Sequence, residues 1–329
     1  MNIQDALTLY KIPYIISETS SGAGFTLYKL TPAGSSATPQ KLKQYLKAIQ
    51  QAAGVQLDII DDTTSLYLRS TEKKPIYRYF DYAGYIDFKS PKIPFIVGFK
   101  DGKILLDDMD SARHLLIAGT TGSGKSVFLH NLITTFCCNE NNFIYLVDCK
   151  KVEFSIYKEH AVIASEVFGE ISAARIVNTM IERMERRFSD MERAGVNDFM
   201  EYKNINPGIK RYILVIDELS DLIGDKKSRA VLIPGLLRIA QKGRAAGFHI
   251  ILATQRPDSS VINGTLKGNL PTRCAFRTIS NIDSRIILDQ SGAEYLKGNG
   301  DGLYLRNGSF NIDRFQAPLI TLDDIRGIA

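Results

Sequence analysis

His114-Leu115-Leu116-Ile117-Ala118, followed by Gly119-Thr120-Thr121-Gly122-Ser123-Gly124-Lys125-Ser126, is the stretch that decides the reading of this 329-residue chain. An apolar run breaks into a loop of the form G-x-x-x-x-G-K-[ST], and helical spacing resumes over Val127–Phe136. Strand, glycine loop and helix in that order are what a phosphate-binding loop requires. Glycines let backbone N–H groups close around phosphate oxygens, and the helix N-terminus adds a favourable dipole. Residues 119–127 are therefore the candidate nucleotide contacts. Lys125 would reach the β- and γ-phosphates, and the Ser126 hydroxyl would ligate Mg²⁺.

Two further segments complete a catalytic set. Tyr212-Ile213-Leu214-Val215-Ile216-Asp217-Glu218 is an apolar strand ending in two carboxylates. Asp217 would hold Mg²⁺, mostly through water, and Glu218 would orient and deprotonate the attacking water. Ile250-Ile251-Leu252-Ala253-Thr254-Gln255-Arg256-Pro257 ends in a polar amide. Gln255 is the candidate sensor of the γ-phosphate or the lytic water. A phosphotransferase would not need the water-activating Glu218, and the chain lacks the N-K-x-D segment by which a GTPase reads its base. ATP hydrolysis coupled to movement fits best. Arg244 and Arg273 are candidates for an arginine that stabilises the transition state from a neighbouring subunit. Each could equally be structural or DNA-contacting.

Outward from this core, the chain alternates short apolar strands with long helices, which implies an α/β fold with a mostly parallel sheet. Strands are expected at His114–Ala118, Phe143–Val147, Tyr212–Ile216, His249–Ala253 and Arg273–Arg277, with a long helix over Ser172–Ala194. The charged cluster Glu182–Arg187 of that helix should mark a solvated or subunit-facing side. Residues 1–110 read as a separate small α+β domain plus connector. It would hold strands at Thr26–Leu30, Val55–Ile60 and Ser65–Arg69, and a helix over 39–53 that turns Leu42, Tyr45, Leu46 and Ile49 inward. The remainder, 111–329, would be the ATPase domain.

Composition sets outer bounds. With 44% hydrophobic residues the chain can bury a real core, and 41 Lys+Arg against 36 Asp+Glu leaves a mild +5 that permits a nucleic-acid partner without demanding one. Four cysteines without a C-x-x-C pair point to reduced thiols rather than a zinc site or disulfide scaffold. Neither a signal peptide nor a spanning segment is evident, so a cytoplasmic location is expected.

These segments, in this order, resemble the motor of the FtsK/SpoIIIE family of DNA translocases. The likeness rests on the phosphate loop and its strand, Leu146-Val147-Asp148-Cys149-Lys150, Met184-Glu185-Arg186-Arg187-Phe188, and Leu237–Gly247 running on to Ala253-Thr254-Gln255-Arg256-Pro257. It resumes at Asn269–Arg273, Ile282-Asp283-Ser284-Arg285, Ile287–Gln290 and Gly300–Tyr304. More loosely, Gly24–Tyr28, the Lys-rich helix and Ile93–Gly98 are similar to the small α-domain preceding the RecA-like β-domain in that family. The resemblance implies a RecA-like P-loop NTPase core, a homohexameric ring around double-stranded DNA, and ATP between subunits. DNA-facing loops would then lie in Lys242–Arg244, Ser259–Asn269 and Asn281–Arg285, with Lys267 and Arg285 as charged candidates. The family usually has Pro where Cys149 stands, a departure expected to alter only a local turn. No room is left for the winged-helix γ-domain or a membrane segment. A stripped-down motor of a mobile element, plasmid or phage is therefore expected, with loading and direction set by a partner. Two alternatives stay open: an ATPase acting on single-stranded DNA in conjugation or replication, and a nucleotide-gated DNA-binding adaptor. Ser259–Asn269 contains no aromatic platform for stacking single-stranded bases, which favours duplex.

Overall fold

The computed structural model describes residues 1–22, 25–62, 65–71, 77–158, 160, 163–167 and 170–327. They divide into two compact units, Met1–Ile76 and Tyr77–Ala329. The boundary expected near residue 110 thus falls some thirty residues earlier. The physical reason is strand pairing: the connector's Pro94–Lys100 and Lys103–Asp108 join the sheet of the larger unit.

In the smaller unit, four strands, β1 (Tyr14–Gly22), β2 (Phe25–Pro32), β3 (Gln56–Asp62) and β4 (Ser65–Thr71), form an antiparallel sheet in the order β1-β2-β4-β3. The helix Pro39–Ala53 begins at Thr38, whose side chain accepts from Lys41 N, with Pro39 in the first turn, and it ends at Gly54 in the left-handed region. Leu42 and Ile49 are buried with Ile3, Leu7, Leu57 and Leu68, as the helical spacing implies. Strand β1 and the helix Ile3–Leu9 were not anticipated. Gly24, the first residue of the Gly24–Tyr28 stretch, lies outside the described residues.

The larger unit is built on ten strands: β5 (Pro94–Lys100), β6 (Lys103–Asp108), β7 (Leu115–Ala118), β8 (Asn142–Val147), β9 (Ile163–Val167), β10 (Arg211–Ile216), β11 (Phe248–Thr254), β12 (Thr272–Phe276), β13 (Asp301–Leu305) and β14 (Ile312–Gln316). Their order is β6-β5-β14-β13-β12-β7-β11-β10-β8-β9. From β12 to β9 all neighbours are parallel, whereas β13, β14, β5 and β6 add an antiparallel flank.

Alternate residues of the parallel strands serve two cores. Ile117, Ile144, Ile213 and Ile251 pack with Phe128, Leu132 and Phe136 of the helix Lys125–Cys137. Leu116, Tyr145, Leu214 and Ile250 pack with Met180 and Met184 of Glu170–Ala194 and with Leu236 and Ile239 of Lys226–Ala246. Burial on both faces is why these strands read as continuous apolar runs.

The long helix departs from expectation at one residue. Arg187, expected on a solvated or subunit-facing side, is buried over the rings of Phe199, Tyr212 and Phe248, and it donates to Ala246 O at 2.6 Å. A carbonyl at the end of the neighbouring helix and a stacked aromatic face replace its water. Burial pulls its pKa down to about 10.

At the edge where the parallel strands begin, Arg211 is fully buried. Its guanidinium donates to Pro91 O (2.6 Å), Asp110 Oδ1 (3.0 Å) and His249 Nε2 (2.9 Å). His249 Nδ1, 2.6 Å from Arg113 O, must carry the ring's proton there, so the ring is neutral. His114 Nδ1 accepts from Ile250 N at 3.1 Å. Burial drives the His114 pKa down to about 3 and that of His249 well below its ordinary value, the latter reinforced by Arg211. Unfolding restores a value near 6.5, so below that pH the unfolded chain binds protons that the native one refuses. Stability should therefore hold above pH 6.5 and decline as the pH falls toward 5, by about 1.4 kcal/mol per pH unit for each histidine. Asp107 and Asp217, raised by burial, act in the opposite sense and nearer the carboxyl range. Urea midpoints measured from pH 8 to 5 check this, and a flat profile would refute it.

Candidate nucleotide site

The phosphate loop hangs from the ends of two strands. Gly119 N donates to Thr254 O at the end of β11 (3.2 Å), and Thr120 N donates to Arg277 O just past β12 (2.9 Å). On its far side, Asn299 N donates to Gly122 O (3.2 Å) and Gly300 N to Ser123 O (2.8 Å). This close approach explains Gly124, which has φ of 106° and whose Cβ would lie 2.3 Å from Gly300 N. The helix starts at Lys125, two residues before the expected Val127. The N–H groups of Lys125, Ser126 and Val127 have no carbonyl one turn back, so they form the open donor set that an anion needs.

β11 lies between β7 and β10, so the acidic strand is not the immediate neighbour of the loop's strand. Lys125, only 5% exposed, spans the gap: its ammonium donates to Asp217 O at 2.8 Å. Burial lowers its pKa, against the opposing pull of Glu218, Asp217 and Glu153. Asp217 Oδ1 accepts from Cys149 N at 3.0 Å, and burial raises its carboxyl above the usual range. The Cys149 departure does more than alter a turn, because a proline there would have no N–H to donate. Gln255 Oε1 accepts from Thr121 Oγ1 (3.2 Å), which holds its amide over the loop. Glu218 accepts from the Thr254 hydroxyl (2.6 Å) and from Gln255 N (2.7 Å).

One cleft is lined by Lys125, Ser126, Lys150, Glu153, Asp217 and Gln255. Its donor set fits a nucleotide with a hard cation. Ser126 Oγ donates to Glu153 Oε1 at 3.3 Å, which leaves its lone pairs for a metal beside the Asp217 carboxylate. Among the described residues no group of three or more His, Cys, Asp or Glu gathers into a metal cage. A cation here would depend on phosphate oxygens and water, as Mg²⁺ does.

Glu153 and His130 escaped the sequence reading. His130 stands one turn beyond Ser126, with Nε2 3.7 Å from Glu153 Oε2 and Nδ1 3.0 Å from the Tyr157 hydroxyl. The His130 ring beside it, foremost among several partners, holds the Glu153 carboxyl below its usual range despite burial. The i, i+4 spacing of Ser126 and His130 was the available signal.

The two arginines lie away from this cleft. Arg273, beside Leu116 near the start of β12, donates to the carbonyls of Leu270, Ile287 and Lys267 and pairs with Asp289. Arg244, in the last turn of Lys226–Ala246, is exposed, and its Nε donates to Asp110 O at 3.3 Å. Of the DNA-facing candidates, Lys267 also pairs with Asp289, whereas Arg285 is exposed.

Arg273→Ala should therefore lower the stability of the isolated chain by about 1–3 kcal/mol in urea unfolding, because three carbonyls and a carboxylate lose their donor. An unchanged midpoint would mean that those contacts contribute nothing to the fold. Gly124→Ala should weaken binding of a fluorescent ATP analogue at least tenfold, and parent-like affinity would refute the close-approach argument.

Comparison with known proteins bears on the family and the fold. The FtsK/SpoIIIE family model matches residues 84–233. DNA translocase FtsK of Chlorobaculum tepidum is 37% identical over 73% of this chain and 32% of its own length. DNA translocase FtsK of Helicobacter pylori is 38% identical over 69% of this chain and 27% of its own. The chain thus spans about a third or less of these two relatives. Among solved structures, the pCW3 conjugation coupling protein TcpA, in monomer form with ATPγS, superposes with a TM-score of 0.78 at 22% identity, covering 99% of this chain and 97% of that one. The cytoplasmic domain of the Thermomonospora curvata type VII secretion ATPase EccC gives 0.61 at 22% identity over 71% and 30%. The fold is thus that of RecA-like ATPases, and no helix among the described residues is long and apolar enough to cross a membrane. Residues 84–233, which hold the phosphate loop and the acidic strand, thus match the FtsK/SpoIIIE family, and this chain is similar to its P-loop ATPases.

Proposed function

We propose that the chain is a motor that hydrolyses ATP to move along double-stranded DNA, working as a homohexameric ring with nucleotide between subunits. The observation that carries the reading is the closed circuit around one cleft, in which Lys125 reaches Asp217 O while Gln255 bridges Thr121 and Glu218. Loop, acid pair and amide are thereby mechanically joined, as a hydrolytic motor needs and a passive nucleotide-binding module does not.

In this reading the N–H groups of 122–127 and the Lys125 ammonium bind the β- and γ-phosphates. Ser126 and Asp217 would hold Mg²⁺, which would supply positive charge beside the phosphoryl oxygens. Glu218 accepts the proton of the attacking water, and the Gln255 amide holds that water or the γ-phosphate in line. Arg244, with an exposed guanidinium far from its own cleft, suits the role of an arginine offered to a neighbouring subunit. The contacts of Arg273 suit a structural role instead. Phosphate tracking by Lys242 and Arg285 would be independent of base sequence and would weaken with salt.

A second reading is an ATPase that moves a single strand during conjugation, prompted by the whole-chain likeness in fold to a coupling protein. Hydrolysis by the purified protein, alone and with duplex or single-stranded DNA of equal nucleotide content, separates the two. Duplex-specific stimulation is expected; single-strand preference would promote the second reading, and no response to either would overturn both. Glu218→Gln should retain ATP binding and lose hydrolysis by at least a hundredfold, within the range for removal of a general base. Normal turnover in that variant would refute the base assignment.

A further inference from the structure

A general base must offer an oxygen to water within the cleft. Glu218 is only 4% exposed, and both of its oxygens are committed to the end of β11. Oε1 accepts from the Thr254 hydroxyl at 2.6 Å, and Oε2 accepts from the N–H of the next residue, Gln255, at 2.7 Å. Hydrogen bonds to an ionised acceptor are the strong ones. Thr254 is held in turn: its oxygen accepts from Arg256 N (3.1 Å) and lies 2.8 Å from the Ser220 hydroxyl, which also reaches Arg256 O at 3.0 Å. Asp217 and Gln255 are among the residues that line the cleft, whereas the Glu218 oxygens engage the strand end beside it.

We propose that Thr254 is a positioning residue that latches Glu218 in a resting orientation, and that hydrolysis requires the end of β11 to release it. This rests on the reading that Glu218 is the base for ATP hydrolysis. The two latch bonds come from consecutive residues, one from a side chain and one from the backbone. A small displacement of this strand end therefore breaks both together. The strand end runs on through residues 256–258 into Ser259–Asn269, a stretch expected to face DNA. Force on that segment is transmitted along the backbone to Thr254 and Gln255. A motor so built keeps its base idle until its track is engaged.

Thr254→Val preserves size and branching but removes the donor. Its ATP hydrolysis without DNA should rise about tenfold over the parent, the shift expected from losing one hydrogen bond to a charged group. Its rate at saturating duplex should change little, so the stimulation ratio shrinks. T254S, which keeps the hydroxyl, should restore the low DNA-free rate. Ser220→Ala, which withdraws support from Thr254 without touching Glu218, should move in the same direction as T254V by a smaller factor. Binding of a fluorescent ATP analogue verifies that each variant is folded. DNA-free turnover in T254V and S220A at or below the parent's, with analogue binding intact, overturns the latch; a lower rate would mean that the hydroxyl orients the base productively. A parent that hydrolyses no ATP even with DNA overturns the underlying reading, and the latch with it.

Discussion

The insertion of β11 between the strand of the phosphate loop and the strand of the acidic pair is the constraint on which the site depends. It places Thr254 and Gln255 where one strand end can touch both neighbours. Thr254 O holds Gly119, the Gln255 amide reaches Thr121, and the hydroxyl and N–H of these residues hold Glu218. It also sets the gap that Lys125 crosses to Asp217 O. Were β7 and β10 adjacent, no residue could report the state of the loop to the acids through a single short segment.

Burial gives this arrangement its electrostatic leverage. Lys125 and Asp217 are both shifted toward their neutral forms by desolvation; nearby carboxylates partly restore the first, and hydrogen bonding from Cys149, more than the charge of Lys125, partly restores the second. Buried charges are tolerated only when they are paired and hydrogen-bonded. Here the pairing runs through backbone atoms, Asp217 O for the ammonium and Cys149 N for the carboxylate. An arriving phosphate and cation would meet groups already held in place, which lowers the reorganisation needed at the moment of reaction. Glu153 extends the same logic to Ser126, and His130, itself held by the Tyr157 hydroxyl, lies behind Glu153.

At the other end of the strands the same low-dielectric interior serves stability. Arg211 ties the connector at Pro91, the segment at Asp110 and the start of β11 at His249 into one buried node. Arg273 does similar work for the helices Gly264–Asn269 and Asn281–Leu288 through Lys267 O, Ile287 O and Asp289. Arg273, one of the two candidates for a finger, makes these contacts within the chain because carbonyls at helix ends lack intrahelical partners and accept its donors. Arg187 makes the same point on the long helix, where charge in the sequence did not mean solvent in the fold.

Local order was what the sequence by itself determined. The phosphate loop, the acidic pair, the amide-ended strand and the five apolar strands are each set by residues adjacent in the chain. Loop glycines and two-faced burial leave compact, contiguous marks. The helix 39–53 was legible for the same reason, through the inward spacing of its apolar residues. The domain boundary was not, because β5 and β6 belong to the larger unit through pairing with β14, more than two hundred residues away. Nor were the antiparallel flank, the strand order, the Glu153–Ser126 contact or the engagement of Glu218 by Thr254. Each joins residues remote in sequence through single hydrogen bonds, which carry no periodicity and no composition bias. Which side chains can act was written in the chain; which of them touch was decided only when the sheet brought their strands into register.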